Sequence, residues 1–304
     1  WEGIRLYDGR WAFVDEHIDR LFDAAKCIDL DIAMTKAAVK QALLDTQAAN
    51  GMTTDAHARM MVTRGVKVRP FQHPKLSQSG PTMVIIMEHS KPKLPRPIRL
   101  ATVPHIRGLP MTQDPKLNSH SKLNCILACI AAQKAGADEA LMLDVHGFVN
   151  TTNACNFFIV RKGEVWTSTG DYCMNGITRQ KVIDLCRANG IPVFERNFSL
   201  YDTYSADEAF LTGTFGAQTP VGELDGRVIG SGQPGPGSSA GGGMSAALAQ
   251  LAHDRGEIPL AAQLLVYPMI DDRQNSASAV GNDAPVWDAK LLKPTSASPV
   301  LRDG

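Results

Sequence analysis

The sequence predicts an α+β fold. Strand-like and helix-like stretches follow one another without the strict strand–helix–strand alternation of a doubly wound sheet. The chain is also punctuated twice. A Pro-rich run, "KPKLPRP" at 91–97, separates two stretches of mixed elements, and "GSGQPGPGSSAGGG" at 230–243 places seven glycines in 14 residues. These breaks set expected units at 1–92 (a small α+β domain), 98–236 (a larger domain) and 237–304 (a partial α/β segment).

The elements are read in order. "WEGIRLYDGRWAFV" is two alternating strands around Asp8-Gly9, a type I′ hairpin signal. Beginning mid-stride at Trp1, this sheet suggests that strands before it are missing. Ile18, Leu21, Phe22 and Ala25 then repeat at helical spacing, with Asp15 as the expected N-cap. A second helix spans about 35–50 and stops at Asn50-Gly51. Strands follow at 58–63, 83–88 and 98–104, with Met60 and Met61 expected in the core. A long helix is expected over 119–135, ended by Gly136. Next come strands at 139–144, 156–161 and 164–168, a helix at 177–189, strands at 192–196 and 208–212, and the hairpin "TPVGELDGRVIG". Beyond the glycine-rich run, 244–256 reads as a helix and 261–270 as an apolar strand.

Composition narrows the function. Among 304 residues, 31 Lys+Arg balance 31 Asp+Glu, so nucleic acid and anionic membranes are not expected partners. The longest apolar runs, such as "MVIIM" at 83–87, are strand-sized and far short of the roughly 20 residues of a membrane span. Six cysteines without a CxxC pair suggest buried free thiols and a reducing, cytoplasmic setting. The histidines show no ligand spacing, so no metal site is expected.

Three features assemble into one candidate site. Arg20 lies on the first helix. "NGITRQKVIDL" at 175–185 places Ile177 and Thr178 at a helix N-terminus, whose free N–H groups suit an anion. "AFLTGTFGAQTPV" at 209–221 ends a strand in Gly213-Thr214, which again presents backbone N–H groups and a hydroxyl. In this order, with "WEGIRLYDG", "DEHIDRLFDAAK", "MMVTRG", "GADEALMLD" and "TPVGELDGRVIG", they resemble the class IV aminotransferases, the fold-type-IV pyridoxal-phosphate enzymes, over residues 1–236. The resemblance implies a homodimeric aminotransferase acting on a branched-chain-like amino acid and a 2-oxo acid. It also implies a cofactor phosphate held by Arg20, Ile177, Thr178, Gly213 and Thr214. Glu2 and Arg5 would line the pocket, and Arg69 would take a substrate carboxylate through its planar fork.

Two positions depart from the family pattern. The resemblance calls for a Lys that forms a Schiff base with the cofactor, and such an amine must be neutral to act as a nucleophile. Counting back without gaps from Asp138-Glu139 lands on Asn118, leaving Lys116 and Lys122 as candidates. Lys122 is preferred because "LN" follows it, and because an early helix start would put it on the same face as position 118. The family also places a Glu beside the pyridine nitrogen, where this chain has Thr151. A hydroxyl stabilises a protonated ring less than a carboxylate does. Slow transamination, a lyase reaction of the same fold, or an inactive fusion are therefore kept as alternatives.

Finally, "GSSAGG" at 237–242 fits the G-x-S-x-G elbow with Ser239 as a possible nucleophile. The sequence to about 273 resembles hormone-sensitive-lipase-like α/β-hydrolases. It lacks an upstream HGGG loop, and His253 is the only His after Ser239. A carboxylesterase is thus the competing enzyme reading, and the junction near Pro236-Gly237 reads as a fusion.

Overall fold

The computed structural model describes residues 1–90 and 96–233. Ser239, the hydrolase-like helix and strand, and the proposed junction all lie outside the described residues.

Two sheets flank the 91–95 stretch. In the first, β1 (Glu2–Tyr7) pairs antiparallel with β2 (Arg10–Trp11) through the expected turn, where Asp8 and Gly9 both take positive φ (43° and 81°). β3 (Ala56–Thr63) and β4 (Thr82–His89) complete the order β2-β1-β3-β4. Helices α1 (Val14–Cys27) and α2 (Lys36–Asn50) cover one face. There Ile4, Leu6 and Met60 pack against Ile18, Leu21, Val39 and Leu43 in one core cluster, whereas Met61 is only half-buried. Along β3 burial alternates, with Ala56, Ala58 and Met60 inward and His57 and Arg59 on the opposite face, as the two-residue period of a strand requires. That opposite face also carries Gly3 and Arg5, whereas Glu2, paired with Met60, lies on the helix-covered face.

The expected cap at Asp15 does not occur. Helix α1 begins at Val14, two residues earlier than a cap at Asp15 implies, because Phe13 turns the chain in a left-handed conformation (φ 54°), and Asp15 falls in the first turn. The end of α2 follows expectation: Gly51 takes φ 62° and its N–H bonds back to Ala48.

The second sheet is mixed. β5 (Ile98–Thr102), β6 (Glu139–Leu143), β7 (Val149–Thr152), β8 (Asn156–Arg161), β9 (Glu164–Thr167), β10 (Val193–Glu195), β11 (Glu208–Gly213) and β12 (Ala217–Leu224) run in the order β10-β9-β8-β11-β12-β5-β6-β7, with β13 (Arg227–Val228) beside β12. β7 also pairs with β8 at Thr151↔Asn156, so β8, β11, β12, β5, β6 and β7 close into a ring. Leu100, Leu141, Val149, Phe157, Ile159, Leu211, Val221 and Leu224 form its apolar cluster. β7 escaped the sequence reading because "VNTT" looks like a polar loop, yet all four residues are buried.

Three helices position the site. α3 (Pro110–Gln113) is a single turn. α4 (Leu123–Lys134) lays Ala128 and Ala132 on Ala140 and Met142. It starts at Leu123 rather than 119, so Lys122 is its N-cap residue and the helical-face argument for Lys122 does not apply. α5 (Ile177–Ala188) packs Val182 and Ile183 against Phe158 and Phe210, whose rings stack at 5.0 Å; α6 (Leu200–Tyr204) is a short helix with a Ser199–Asp202 capping box. Lys181 of α5 is buried and donates to Glu16 of α1 at 2.8 Å, joining the two halves. Truncating Phe210, which is fully buried in this stack, is expected to cost about 3–5 kcal/mol. Denaturant unfolding of Phe210→Ala against the parent chain measures it.

Candidate active site

The site starts from Glu2, a carboxylate only 1% exposed. Arg20 donates to both its oxygens, Nε to Oε1 at 2.8 Å and Nη2 to Oε2 at 2.7 Å. His17, one turn earlier on α1, places Nδ1 2.7 Å from Oε2. Burial alone would push the Glu2 carboxyl up, but the hydrogen bonds and charges of Arg20 and His17 outweigh it and hold the group below the ordinary carboxylate range. The fork fixes the guanidinium and leaves its Nη1 edge facing the Asn175 carbonyl at 3.3 Å.

Two residues after Asn175 begins α5. Its cap, Gly176, offers no side chain to the first-turn N–H groups, so those of Ile177 and Thr178 stay available to a ligand. A Cβ on Gly176 would lie 2.3 Å from Asn156 Oδ1, so the close approach of chain to Asn156 requires glycine here. Arg20 thus lies beside the positive N-terminal end of α5. The third element is the β11–β12 hairpin. Gly213 pairs with Ala217, so Thr214, Phe215 and Gly216 form its tip.

The two lysines differ sharply. Lys122 is half-buried with its Nζ 5.9 Å over the Trp1 ring. Burial lowers the pKa of its amine, Cys125 opposes this, and Arg107, Arg20 and Arg59 lower it further. Both effects favour the neutral, nucleophilic form of the amine. Lys116 is exposed and lines a cavity of about 200 Å³ with Arg20, Asp114, Met174 and Asn175.

Thr151 is buried on β7 and its hydroxyl donates to the Cys155 carbonyl, so its single proton is spent and only lone pairs remain. Arg5 is 4% exposed, donates to the Ser90 carbonyl at 2.7 Å, and has a buried Nε without a partner among the described residues. Its cross-strand partner is His57, and that of Gly3 is Arg59, so the four share the small-sheet face turned toward Lys122. Arg69, in contrast, is exposed on the β3–β4 loop, and among the described residues no hydrogen bond or ion pair joins its side chain to this group.

Sequence reasoning missed two cations. Arg59 lies 3.9 Å over the Trp1 ring; the period-two pattern of β3 was the signal that could have placed it. Arg107 donates to Cys125 Sγ at 3.4 Å and to the Thr152 carbonyl at 2.5 Å, while Asn124 Nδ2 donates to the neighbouring Ile106 carbonyl. It therefore ties the first turn of α4 to β7, and only tertiary structure reveals this.

A family model for amino-transferase class IV matches residues 1–224. The chain belongs to this family. Class IV aminotransferases are also its relatives by sequence and by fold. A putative branched-chain-amino-acid aminotransferase of Methanocaldococcus jannaschii is 42% identical over 238 residues, covering 77% of this chain and 81% of the relative. A D-alanine aminotransferase of Listeria innocua is 34% identical, covering 78% and 81%. Branched-chain-amino-acid aminotransferase-like protein 2 of Arabidopsis thaliana is 40% identical over 78% of this chain, but the match spans only 43% of that relative. Among solved structures, a branched-chain amino acid aminotransferase complexed with N-(5'-phosphopyridoxyl)-L-glutamate superposes with a TM-score of 0.75 at 28% identity, covering 85% of each chain. The branched-chain aminotransferase of Thermoproteus uzoniensis with norvaline gives 0.72 at 30%, covering 84% and 86%. A second model, for the alpha/beta hydrolase fold, matches residues 236–298, so the chain joins segments of two families.

The Glu2 cluster makes a pH-dependent prediction. A carboxyl held low in the folded state stabilises above its unfolded pKa and loses that contribution as pH falls through the depressed folded value. Glu2→Gln is therefore expected to cost about 2 kcal/mol or more at pH 7, with the gap to the parent narrowing in acid. Denaturation midpoints across pH check the sign.

Proposed function

We propose that this chain is a pyridoxal-phosphate-dependent aminotransferase that moves an amino group between an amino acid and a 2-oxo acid. One observation carries the reading: a half-buried amine, Lys122, stands among the Arg20, Arg59 and Arg107 cations, and Arg20 is forked toward the open start of α5. The residues fit the cofactor by their chemistry. A dianionic phosphate matches the Arg20 Nη1 edge, the Ile177 and Thr178 N–H groups and the Thr214 hydroxyl. Lys122 would hold the aldehyde, and Thr151 would accept a hydrogen bond from the ring nitrogen. When bound, pyridoxal phosphate supplies an electron-withdrawing ring that makes the substrate Cα–H acidic.

The protein's own part follows from the site. Arg5 and Arg59 draw the substrate carboxylate onto the small-sheet face, and the unpartnered Arg5 Nε is the donor awaiting it. Lys122 Nζ, whose neutral form is favoured by burial and neighbouring cations, would take the Cα proton and return it. Because the Thr151 proton is already given to Cys155 and no carboxylate stands in its place, transamination is slow.

The active form is a homodimer in the cytoplasm. Leu123, Ile126, Leu127 and Ile130 form an exposed apolar stripe along α4, spaced i, i+3, i+4, i+7, which a second copy covers. All six cysteines are free, as a reducing compartment allows.

Borohydride treatment of the cofactor-loaded protein is expected to fix the label on Lys122, and Lys122→Ala to abolish both label and amino transfer. A label on Lys116 would reassign the lysine. No label, together with hydrolysis of a p-nitrophenyl ester, would favour the Ser239 esterase. Sedimentation is expected to show a dimer that Leu127→Asp converts to monomer.

A further inference from the structure

Resting on the aminotransferase reading, we propose that Phe215 sets the upper size limit of the substrate side chain. Phe215 occupies the middle of the three-residue tip between Gly213 and Ala217. The tip is tightly built: Ala217 takes a left-handed conformation (φ 47°), and a Cβ on Gly216 would lie 2.9 Å from Thr219 Oγ1. The ring is therefore presented by a short, well-defined turn rather than a long loop.

From that turn it reaches across to the small sheet. A Cβ built on Gly3 would sit 3.0 Å from the Phe215 ring, so the ring lies directly on the β1 backbone. It meets the His57 ring edge-on, with centroids 4.5 Å apart. Gly3 and His57 share their face with Arg5 and Arg59, the cations assigned to the substrate carboxylate. The preceding residue, Thr214, is assigned to the cofactor phosphate. Phe215 thus lies next to the turn assigned to the cofactor and against the sheet face assigned to the substrate carboxylate. At 45% exposure, the part of the ring not covered by Gly3 and His57 forms a wall facing open space. A rigid aromatic wall leaves room for short aliphatic side chains and excludes aromatic ones, since hydrophobic sites discriminate mainly through volume.

The test uses the full chain loaded with cofactor and compares both enantiomers of alanine, valine and phenylalanine as donors. Phe215→Ala is expected to raise the phenylalanine-to-alanine ratio of kcat/KM about tenfold or more, with Phe215→Leu intermediate. Gly3→Ala, which presses a methyl against the ring, is expected to lower the ratio in the parent but not in the Phe215→Ala background. An unmoved ratio in Phe215→Ala, with the borohydride label still on Lys122, overturns the size limit alone. Absence of any label in the parent chain overturns the aminotransferase reading, and this proposal with it.

Discussion

The buried Glu2 carboxylate is the constraint on which the rest of the site depends. A charge removed from water costs several kcal/mol unless close partners replace the lost hydration. Glu2 has such partners on α1, a bidentate guanidinium and an imidazole. To supply them, α1 must lie across β1 with His17 and Arg20 turned inward, the i, i+3 spacing that puts both on one helical face. The same fork removes most of the rotamer freedom of Arg20. The guanidinium consequently faces the start of α5 before any ligand arrives, and little of its ordering entropy is left to binding.

Around this anchor the site is an assembly of positive charge. Arg20, Arg59 and Arg107 act on the Lys122 amine, Arg5 shares a sheet face with Arg59, and among the described residues only Arg20 of the four has a close carboxylate partner. Arg5 is buried and the other three are partly buried, so an anion would relieve the positive charge gathered here. The proposed phosphate and carboxylate ligands would supply that negative charge. The arrangement also accounts for Lys122: with cations on several sides, a further positive charge on its amine is disfavoured.

Much of the fold was legible in the sequence where local chemistry decides. Asp8-Gly9 needed positive φ and reads as a hairpin; Gly51 and Gly136 stop helices; Asp225-Gly226 turns the last hairpin. Errors arose where the tertiary environment overrules local pattern. β7 is polar in sequence because its threonines and asparagine are buried at a strand seam that only ring closure creates. The cap at Phe13 is a left-handed aromatic residue, which no propensity favours. Of the site, Arg20 and the α5 start were readable as motifs. The different settings of Lys116 and Lys122 were not, because they depend on burial and on charges brought from distant segments. Arg59, Arg107 and Phe215 act through cross-strand and inter-element contacts that sequence spacing does not reveal.

The Lys181–Glu16 pair has a wider effect. Glu16 lies one helical turn before Arg20, and Lys181 one turn after Ile177, so this bond bolts α1 and α5 together beside the cradle they form. Lys181 also lies 4.8 Å from the Phe13 ring, which seals the joint from one side. The relative placement of Arg20 and the start of α5 is therefore fixed by a bond within the folded chain. The bond does not act alone: Trp1, just ahead of β1, bonds to Asn118 and Ser119, so the two halves are joined at separate places.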